Sequence, residues 1–149
     1  MASRRGRRQR AADRGGTDLT RLLLDTTFLI DTERDGMGLD RVIDDEDDVG
    51  IAAASVAELL LGVALADERH RASRQSFVEA VLEAVLIIDY DLSVARAHAH
   101  LLAAVRRAGR PRGAHDLIIA ATAAATGRIV VTADPQGFAD LPDVRMRTH

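Results

Sequence analysis

Leu22-Leu23-Leu24-Asp25-Thr26-Thr27 joins three consecutive leucines directly to an aspartate. A short, continuous apolar run predicts a strand buried on both faces, which is typical of parallel sheets. The same transition recurs near the other end of the chain, where Val130-Val131-Thr132-Ala133 leads into Asp134. The two segments therefore predict buried strands that each end beside a carboxylate.

Short apolar runs and longer helical stretches alternate along the whole chain. The predicted strands are Leu22–Leu24, Val49–Ala52, Val85–Ile88, Arg128–Thr132 and Val144–Met146. The predicted helices are Ser55–Ala66, 68–84, 92–108 and Asp116–Thr126. The first of these helices is apolar nearly all round and is expected to be buried. Strands separated by such helices imply right-handed crossovers, so we predict an α/β fold in three layers, with a mostly parallel central sheet flanked by helices.

The composition excludes several kinds of site. The 149 residues include no cysteine, and all 20 basic residues are arginine. Cysteine-ligated metal centres, thiol nucleophiles, P-loops and Schiff-base lysines are therefore excluded. The lack of cysteine favours a cytoplasmic location. No apolar run approaches the roughly 18 residues of a membrane span, so no association with a membrane is expected.

Residues 1–20 differ in composition from the rest of the chain. Residues 1–18 carry six arginines against two aspartates, a charge of +4, whereas the whole chain carries −3. Because this segment has no apolar periodicity, we predict a basic, disordered arm over residues 1–20 and one domain over residues 21–149. The arm could hold phosphates without sequence preference. A solvated tail, or a start codon assigned too far upstream, is the simpler explanation, and deletion of residues 1–18 would test it.

Four carboxylates stand where an apolar strand meets a helix or where a helix starts. They are Asp25, Glu58, Asp116 and Asp134. Each has a local explanation, because the aspartates could cap helices and Pro135 favours a helix start after Asp134. Ser55 and Glu58 have the spacing of a capping box. Taken singly, capping is the favoured interpretation of each acid.

Taken together, the four acids indicate a metal site. Glu58 stands among apolar neighbours such as Val56 and Leu59, where a buried carboxylate needs a partner, and the chain has no lysine to supply one. A sheet that gathers the acids at one edge would add mutual repulsion, which a divalent cation would relieve. Carboxylate oxygens select Mg²⁺ or Mn²⁺ rather than zinc.

These acidic motifs, in this order and at this spacing, resemble the PIN domain, and in particular the VapC-type toxins of bacterial toxin–antitoxin pairs. The motifs are Leu24–Ile30, Ser55–Leu59, Asp116–Ala121 and Val131–Asp134. The resemblance extends over residues 21–149 and implies a Mg²⁺-dependent endoribonuclease that has a VapB-type antitoxin as its partner. The metal ligands that it implies are Asp25, Asp116, Glu58 and Asp134, and Thr132 matches a hydroxyl position counted with the catalytic residues.

Two positions depart from the family pattern. Gly137 precedes Phe138 where the family often has an acid, and Thr27 stands where serine or asparagine is commoner. The first departure concerns the outer shell of the metal site. The implied reaction is hydrolysis of an RNA phosphodiester by a metal-activated water, with one or two metal ions.

Contact with RNA also requires positive charge near the acids. The arginines that cluster before the third acid are candidates for contacts to the RNA backbone, although a solvated helix end explains them equally well. They are Arg106, Arg107, Arg110 and Arg112. His115 is a candidate general base, and a loop residue without a catalytic role is its simpler interpretation.

The alternative to a nuclease is a catalytically silent PIN-like binding or scaffold domain. Metal-dependent cleavage of single-stranded RNA would separate the two functions. The predicted helices at 55–66 and 68–84 carry enough apolar residues for a core, and a dimer surface or an antitoxin groove is a second use for them. We predict a homodimer.

Overall fold

A five-stranded sheet lies at the centre of the computed structural model, which describes residues 20–36 and 47–148. Its strands are β1 (Arg21–Leu24), β2 (Asp48–Ala52), β3 (Leu86–Ile88), β4 (Ile129–Thr132) and β5 (Met146–Thr148). The strand order is β3-β2-β1-β4-β5 and each neighbouring pair is parallel. The predicted parallel sheet is confirmed, while residues 1–19 of the predicted arm lie outside the described residues.

Within the described residues, five helices connect or flank these strands. They are α1 (Thr26–Arg34), α2 (Ala53–Leu65), α3 (Glu68–Ala84), α4 (Leu92–Ala108) and α5 (Ala114–Thr126). A short 3₁₀ helix, Pro135–Gly137, follows β4. Gly109 and Gly127 end α4 and α5 in the left-handed conformation, at φ values of 65° and 63°. No helix in the described part of the chain is long and apolar enough to cross a membrane.

Two hydrophobic clusters cover the two faces of the sheet. Leu23 packs in one cluster with Val94 of α4 and Ile119 of α5. Leu22 and Leu24 point the other way, into a cluster that contains residues of α1, α2 and α3. Alternation along β1 therefore places helices on both sides of the sheet, which confirms the three-layer α/β fold.

The helix α1 was not among the predicted elements. Its nine residues include Thr26, Thr27, Ile30 and Thr32, and β-branched residues are poor helix formers. The helix forms because Asp25 caps its first turn and because burial of its apolar residues, such as Phe28, stabilises it. Tertiary contacts thus outweigh a weak local preference.

The prediction that the apolar helix α2 is buried is wrong. Only Ser55 and Leu59 of this helix are buried, whereas Leu61 and Leu65 are 55% and 76% exposed. Since the sheet and α3 cover only one side of α2, its remaining apolar side chains face outward.

The last strand is shifted from its predicted position. It spans Met146–Thr148 instead of Val144–Met146, because Met146 is the residue that pairs with Val130 of β4. Val144 instead packs against one of the hydrophobic clusters. An apolar residue before a strand was therefore mistaken for part of it.

Candidate active site

The site is built at the carboxyl ends of β1 and β4, which are neighbours at the middle of the sheet. Asp25 directly follows β1, and its backbone N–H donates to the carbonyl oxygen of Val131 in β4 at 2.9 Å. Asp134 lies two residues beyond the end of β4. Because parallel strands end at the same edge, the first and fourth acids of the sequence are brought to one place.

Asp25 is a buried carboxylate with a donor for each oxygen. Its Oδ1 accepts the backbone N–H of Thr26 at 2.7 Å, which confirms that it caps α1. Its Oδ2 accepts the hydroxyls of Thr27 and Thr132, both at 2.7 Å. Capping therefore accounts for only one of the two oxygens of Asp25.

Thr132 connects the first acid with the fourth. Its side chain is fully buried, and its Oγ1 donates to Asp25 while accepting the backbone N–H of Asp134 at 3.0 Å. The carboxylate of Asp134 accepts the backbone N–H of Gln136 at 3.3 Å, so Asp134 caps the 3₁₀ helix as predicted. The hydroxyl of Thr132 thus joins the carboxylate of Asp25 to the backbone of Asp134.

Asp116 does not cap a helix, although capping was the interpretation favoured for this residue when it was considered alone. The helix α5 begins two residues earlier at Ala114, and Gly113 occupies the capping position. The carboxylate of Asp116 lies instead against two glycines: a Cβ atom would meet its Oδ2 at 3.3 Å if added to Gly113 and at 2.7 Å if added to Gly137. The carboxylate therefore lies against the backbone of both glycines, and a side chain at position 137 would displace it.

The pKa of Asp116 is raised above its ordinary value. Burial is the largest cause, and the negative charges of Asp25, Asp134 and Glu58 raise the pKa further, while His115 opposes them. The four predicted acids are thus close enough to influence one another electrostatically. Within residues 20–36 and 47–148, however, no three His, Asp or Glu side chains form a group that could hold a metal ion as they stand.

Glu58 is neither part of a capping box nor buried among apolar side chains. The helix α2 begins at Ala53 and has no side-chain cap. The Glu58 side chain is 44% exposed, and its Oε1 lies 3.3 Å from Nδ1 of His115. A histidine from α5 is therefore the partner of this carboxylate, which the sequence did not indicate.

His115 lies in the first turn of α5 and not in a loop. Its Nε2 is 3.4 Å from the hydroxyl of Thr26 and 3.5 Å from that of Ser55. These partners are 89 and 60 residues away in the chain. Adjacency to Asp116 pointed to His115, but only the fold shows that its ring joins α1, α2 and α5.

The predicted RNA-binding arginines have different surroundings. Arg106 and Arg107 are exposed in the last turn of α4, and Arg110 is 4.0 Å from Asp140 in an exposed ion pair. Arg112 instead donates to the main-chain carbonyl oxygens of Gln136 and Ala139. The guanidinium group of Arg112 is thus engaged within the protein.

The fold and the acidic motifs can now be compared with known proteins. The family model described as the PIN domain matches residues 22–144. This chain belongs to the PIN-domain family. The predicted family is therefore confirmed over nearly all of the described residues.

Relatives of this PIN-domain chain include named VapC proteins. The tRNA(fMet)-specific endonuclease VapC of Salmonella typhimurium is 32% identical over 98 residues, which are 64% of this chain and 71% of the relative. The ribonuclease VapC of Rickettsia bellii is 27% identical over 128 residues, 85% of this chain and 95% of that protein. The crystal structure of DNA-bound VapBC from Salmonella typhimurium matches this chain with a TM-score of 0.77 at 25% sequence identity. The match covers 88% of this chain and 98% of the chain in that structure. The predicted VapC-type resemblance is confirmed.

Proposed function

We propose that this PIN domain is a Mg²⁺-dependent endoribonuclease that acts as the toxin of a toxin–antitoxin pair, with Mn²⁺ as a substitute cation. The observation that carries the proposal is the convergence of three acids at the carboxyl edge of the sheet, where Thr132 joins Asp25 to the backbone of Asp134 and the carboxylate of Asp116 lies against Gly137. Besides burial, repulsion by the neighbouring carboxylates raises the pKa of Asp116. None of the described arginines lies within ion-pair distance of Asp25, Asp116 or Asp134 to offset it. A divalent cation would offset it, and carboxylate oxygens are the ligands that such cations prefer.

The side chains of the site have distinct tasks in this proposal. Asp25 and Asp116 hold the cation, assisted by Glu58 and Asp134. A cation bound there supplies an activated water and offsets negative charge on the phosphodiester. Thr132 acts as a positioning residue, because its buried hydroxyl contacts Asp25 and the backbone of Asp134 and does not face solvent.

An apolar surface beside the site supports a VapB-type antitoxin as partner. Leu60, Leu61 and Leu65 of α2 and Ile30 of α1 are each at least 40% exposed. A cavity of about 230 Å³ next to them is lined by Ile30, Glu58 and Arg74, among others. Exposed apolar area of this kind marks protein interaction sites, and a partner bound there would cover Glu58. We also propose that the chain forms a homodimer and acts in the cytoplasm.

The test is cleavage of a set of single-stranded RNAs in Mg²⁺ or Mn²⁺ by the purified chain and by Asp25→Asn and Asp116→Asn. Each variant removes one charge from the site and is expected to lose cleavage while its circular dichroism stays unchanged. Asp67→Asn is the matched control, because asparagine still caps α3. Asp67 lies between α2 and α3, its carboxylate accepts the backbone N–H of His70, and it is not among the charges that shift the pKa of Asp116.

Metal-dependent cleavage by the wild-type chain and by Asp67→Asn, and its loss in both site variants and in EDTA, is the expected result. Cleavage that persists in EDTA or in Asp116→Asn would contradict the metal-dependent mechanism. If no RNA in the set is cleaved with either cation, the chain is a binding or scaffold domain of the PIN fold, which is the alternative function.

A further inference from the structure

We propose that Arg112 is a positioning residue that holds the turn after Asp134 against the carboxylate of Asp116; this inference rests on the proposed metal site. The guanidinium group of Arg112 donates from Nη1 to the carbonyl oxygen of Gln136 and from Nη2 to that of Ala139, the latter at 2.6 Å. Such a two-pronged contact uses the fixed, planar fork of the guanidinium group, which the compact ammonium group of lysine does not reproduce.

The contact joins the two chain segments that carry the third and fourth acids. Arg112 lies two residues before α5 and four before Asp116, while Gln136 lies two residues after Asp134. Along the chain, α5 and β4 lie between these two segments. The Arg112 contacts therefore fix the start of α5 relative to the 3₁₀ helix.

Gly137 shows why this placement matters for the site. It lies between the two carbonyl groups that Arg112 binds, and a Cβ atom at this position would approach Oδ2 of Asp116 to 2.7 Å. The φ angle of Gly137 is not in the left-handed region, so alanine fits the backbone there and would act only by displacing the Asp116 carboxylate. The turn that Arg112 holds thus forms one wall of the space that Asp116 occupies.

The departure from the family pattern at position 137 has a local explanation in this arrangement. In this chain Gly137 allows the turn to close on Asp116, and Arg112 holds it closed.

Arg110 provides a matched comparison for Arg112. It carries the same charge two residues earlier, its side chain is 75% exposed, and its described ion pair with Asp140 is 4.0 Å long. A contact to RNA phosphate would depend on the charge of either arginine, whereas positioning depends on the main-chain contacts of Arg112 alone.

The experiment compares Arg112→Ala, Arg112→Lys, Arg110→Ala and Gly137→Ala with the wild type in the full chain. Calorimetry measures the affinity for Mn²⁺ alone, fluorescence anisotropy measures RNA affinity in EDTA, and steady-state kinetics separates kcat from KM. We expect Arg112→Ala and Gly137→Ala to weaken Mn²⁺ binding about 10- to 100-fold, the effect typical of residues that orient metal ligands. Their loss of activity is expected in kcat, with little change in KM.

Arg112→Lys keeps the charge but loses the planar fork that holds both carbonyl groups, so we expect it to behave like Arg112→Ala. Arg110→Ala is expected to bind Mn²⁺ as the wild type does. Full rescue by lysine, or a loss of RNA affinity in EDTA with unchanged Mn²⁺ binding, would make Arg112 an RNA contact and overturn the inference while leaving the proposed function intact.

Two further outcomes are decisive. If Arg112→Ala does not fold, Arg112→Lys carries the test, and wild-type Mn²⁺ affinity in that variant overturns the inference. If the wild-type chain itself binds no Mn²⁺, the proposed metal site is wrong and the positioning role is overturned with it.

Discussion

At the scale of single residues, Asp116 lies in surroundings that disfavour the ionised form of its carboxyl group. Burial and the neighbouring carboxylates raise its pKa, so its ionised form costs free energy in the folded protein that it does not cost in the unfolded chain. This free-energy cost is absent at pH values below 3.8, the ordinary pKa, because the carboxyl group is then protonated in both the folded and the unfolded state. The cost grows as the pH rises from there through the raised pKa of the folded protein.

Asp116→Asn is therefore expected to stabilise the metal-free protein at neutral pH while removing its activity. Thermal unfolding in EDTA should show a higher Tm than the wild type near pH 8, and the difference should shrink toward about pH 4. Cleavage in Mg²⁺ should fall by more than about 100-fold, since a ligand matters at least as much as the residues that orient it. A variant that is less stable than the wild type at every pH would contradict this account of Asp116.

Thr132→Val tests the buried hydroxyl that connects Asp25 with Asp134. Valine fills the same volume but leaves Oδ2 of Asp25 with one donor fewer, so the free energy of unfolding should fall by about 1–3 kcal/mol. Mn²⁺ affinity should fall about 10- to 100-fold. Urea unfolding and calorimetry measure the two effects.

Thr122→Val is the control for this substitution. Thr122 is equally buried, but its hydroxyl donates only to the carbonyl oxygen of Ile118 within α5. This variant should keep its Mn²⁺ affinity, and an equal loss of affinity in both valine variants would argue against a specific role of Thr132.

Individual residues of the site were predictable to different degrees. The caps at Asp25 and Asp134 follow from local sequence, because an aspartate just before a helix can accept a backbone N–H of its first turn. The contact between Glu58 and His115 does not, because it joins helices that the sheet brings together across 57 residues. The same applies to Arg112, whose acceptors are main-chain atoms 24 and 27 residues away.

At the scale of secondary-structure elements, the amino-terminal side of the sheet is fixed by a buried cation. The side chain of Arg128, which directly precedes β4, is only 5% exposed, and its Nη1 donates to the carbonyl oxygens of Leu22 and Asp48 and to Oδ1 of Asp48. Its Nε has no hydrogen-bond partner. Asp48 is therefore the main compensation for this charge among the described residues.

Asp48→Ala should lower the free energy of unfolding by about 3–5 kcal/mol, because it leaves the buried charge of Arg128 without its carboxylate. Arg21→Ala removes the other arginine near Asp48, whose contact is 3.9 Å long and exposed, and should cost less than about 1 kcal/mol. Urea unfolding of both variants measures the difference. Equal effects would show that burial does not matter at this position.

The outward face of α2 leads to a prediction about the partner. Leu65→Gln should weaken binding of a co-expressed VapB-type protein about 10-fold or more, which corresponds to the free energy of burying one leucine side chain. RNA cleavage should not change. Leu92→Gln is the control, because Leu92 is 66% exposed at the start of α4, outside the proposed surface. Titration by calorimetry gives both affinities, and equal values would place the partner elsewhere.

The elements themselves were largely predictable, and the errors have physical causes. Hydrophobic patterning located α3, α4 and four of the five strands, because these have clear polar or turn residues at their ends. The burial of α2 was predicted wrongly because composition shows how apolar a helix is, but not how many neighbours cover it.

At the scale of the whole molecule, the parallel sheet gathers the site. Each strand ends at the same edge, so acids that follow β1 and β4, or lie in the first two turns of α2 and α5, approach one another although they span residues 25–134. The sequence indicated this edge from the alternation of strands and helices. The sequence could not give the distances between the acids at this edge, because these depend on strand order and on tertiary contacts such as those of Arg112. The predicted homodimer stays a prediction.

The most direct test of the proposed metal site is anomalous X-ray scattering at the manganese edge from crystals grown with Mn²⁺. We expect a peak between the carboxylates of Asp25 and Asp116, with oxygen ligands at about 2.0–2.2 Å. Asp134 and Glu58 should contact the ion directly or through water. No peak at the carboxyl edge of the sheet, in crystals whose Mn²⁺ concentration supports RNA cleavage in solution, would contradict the account.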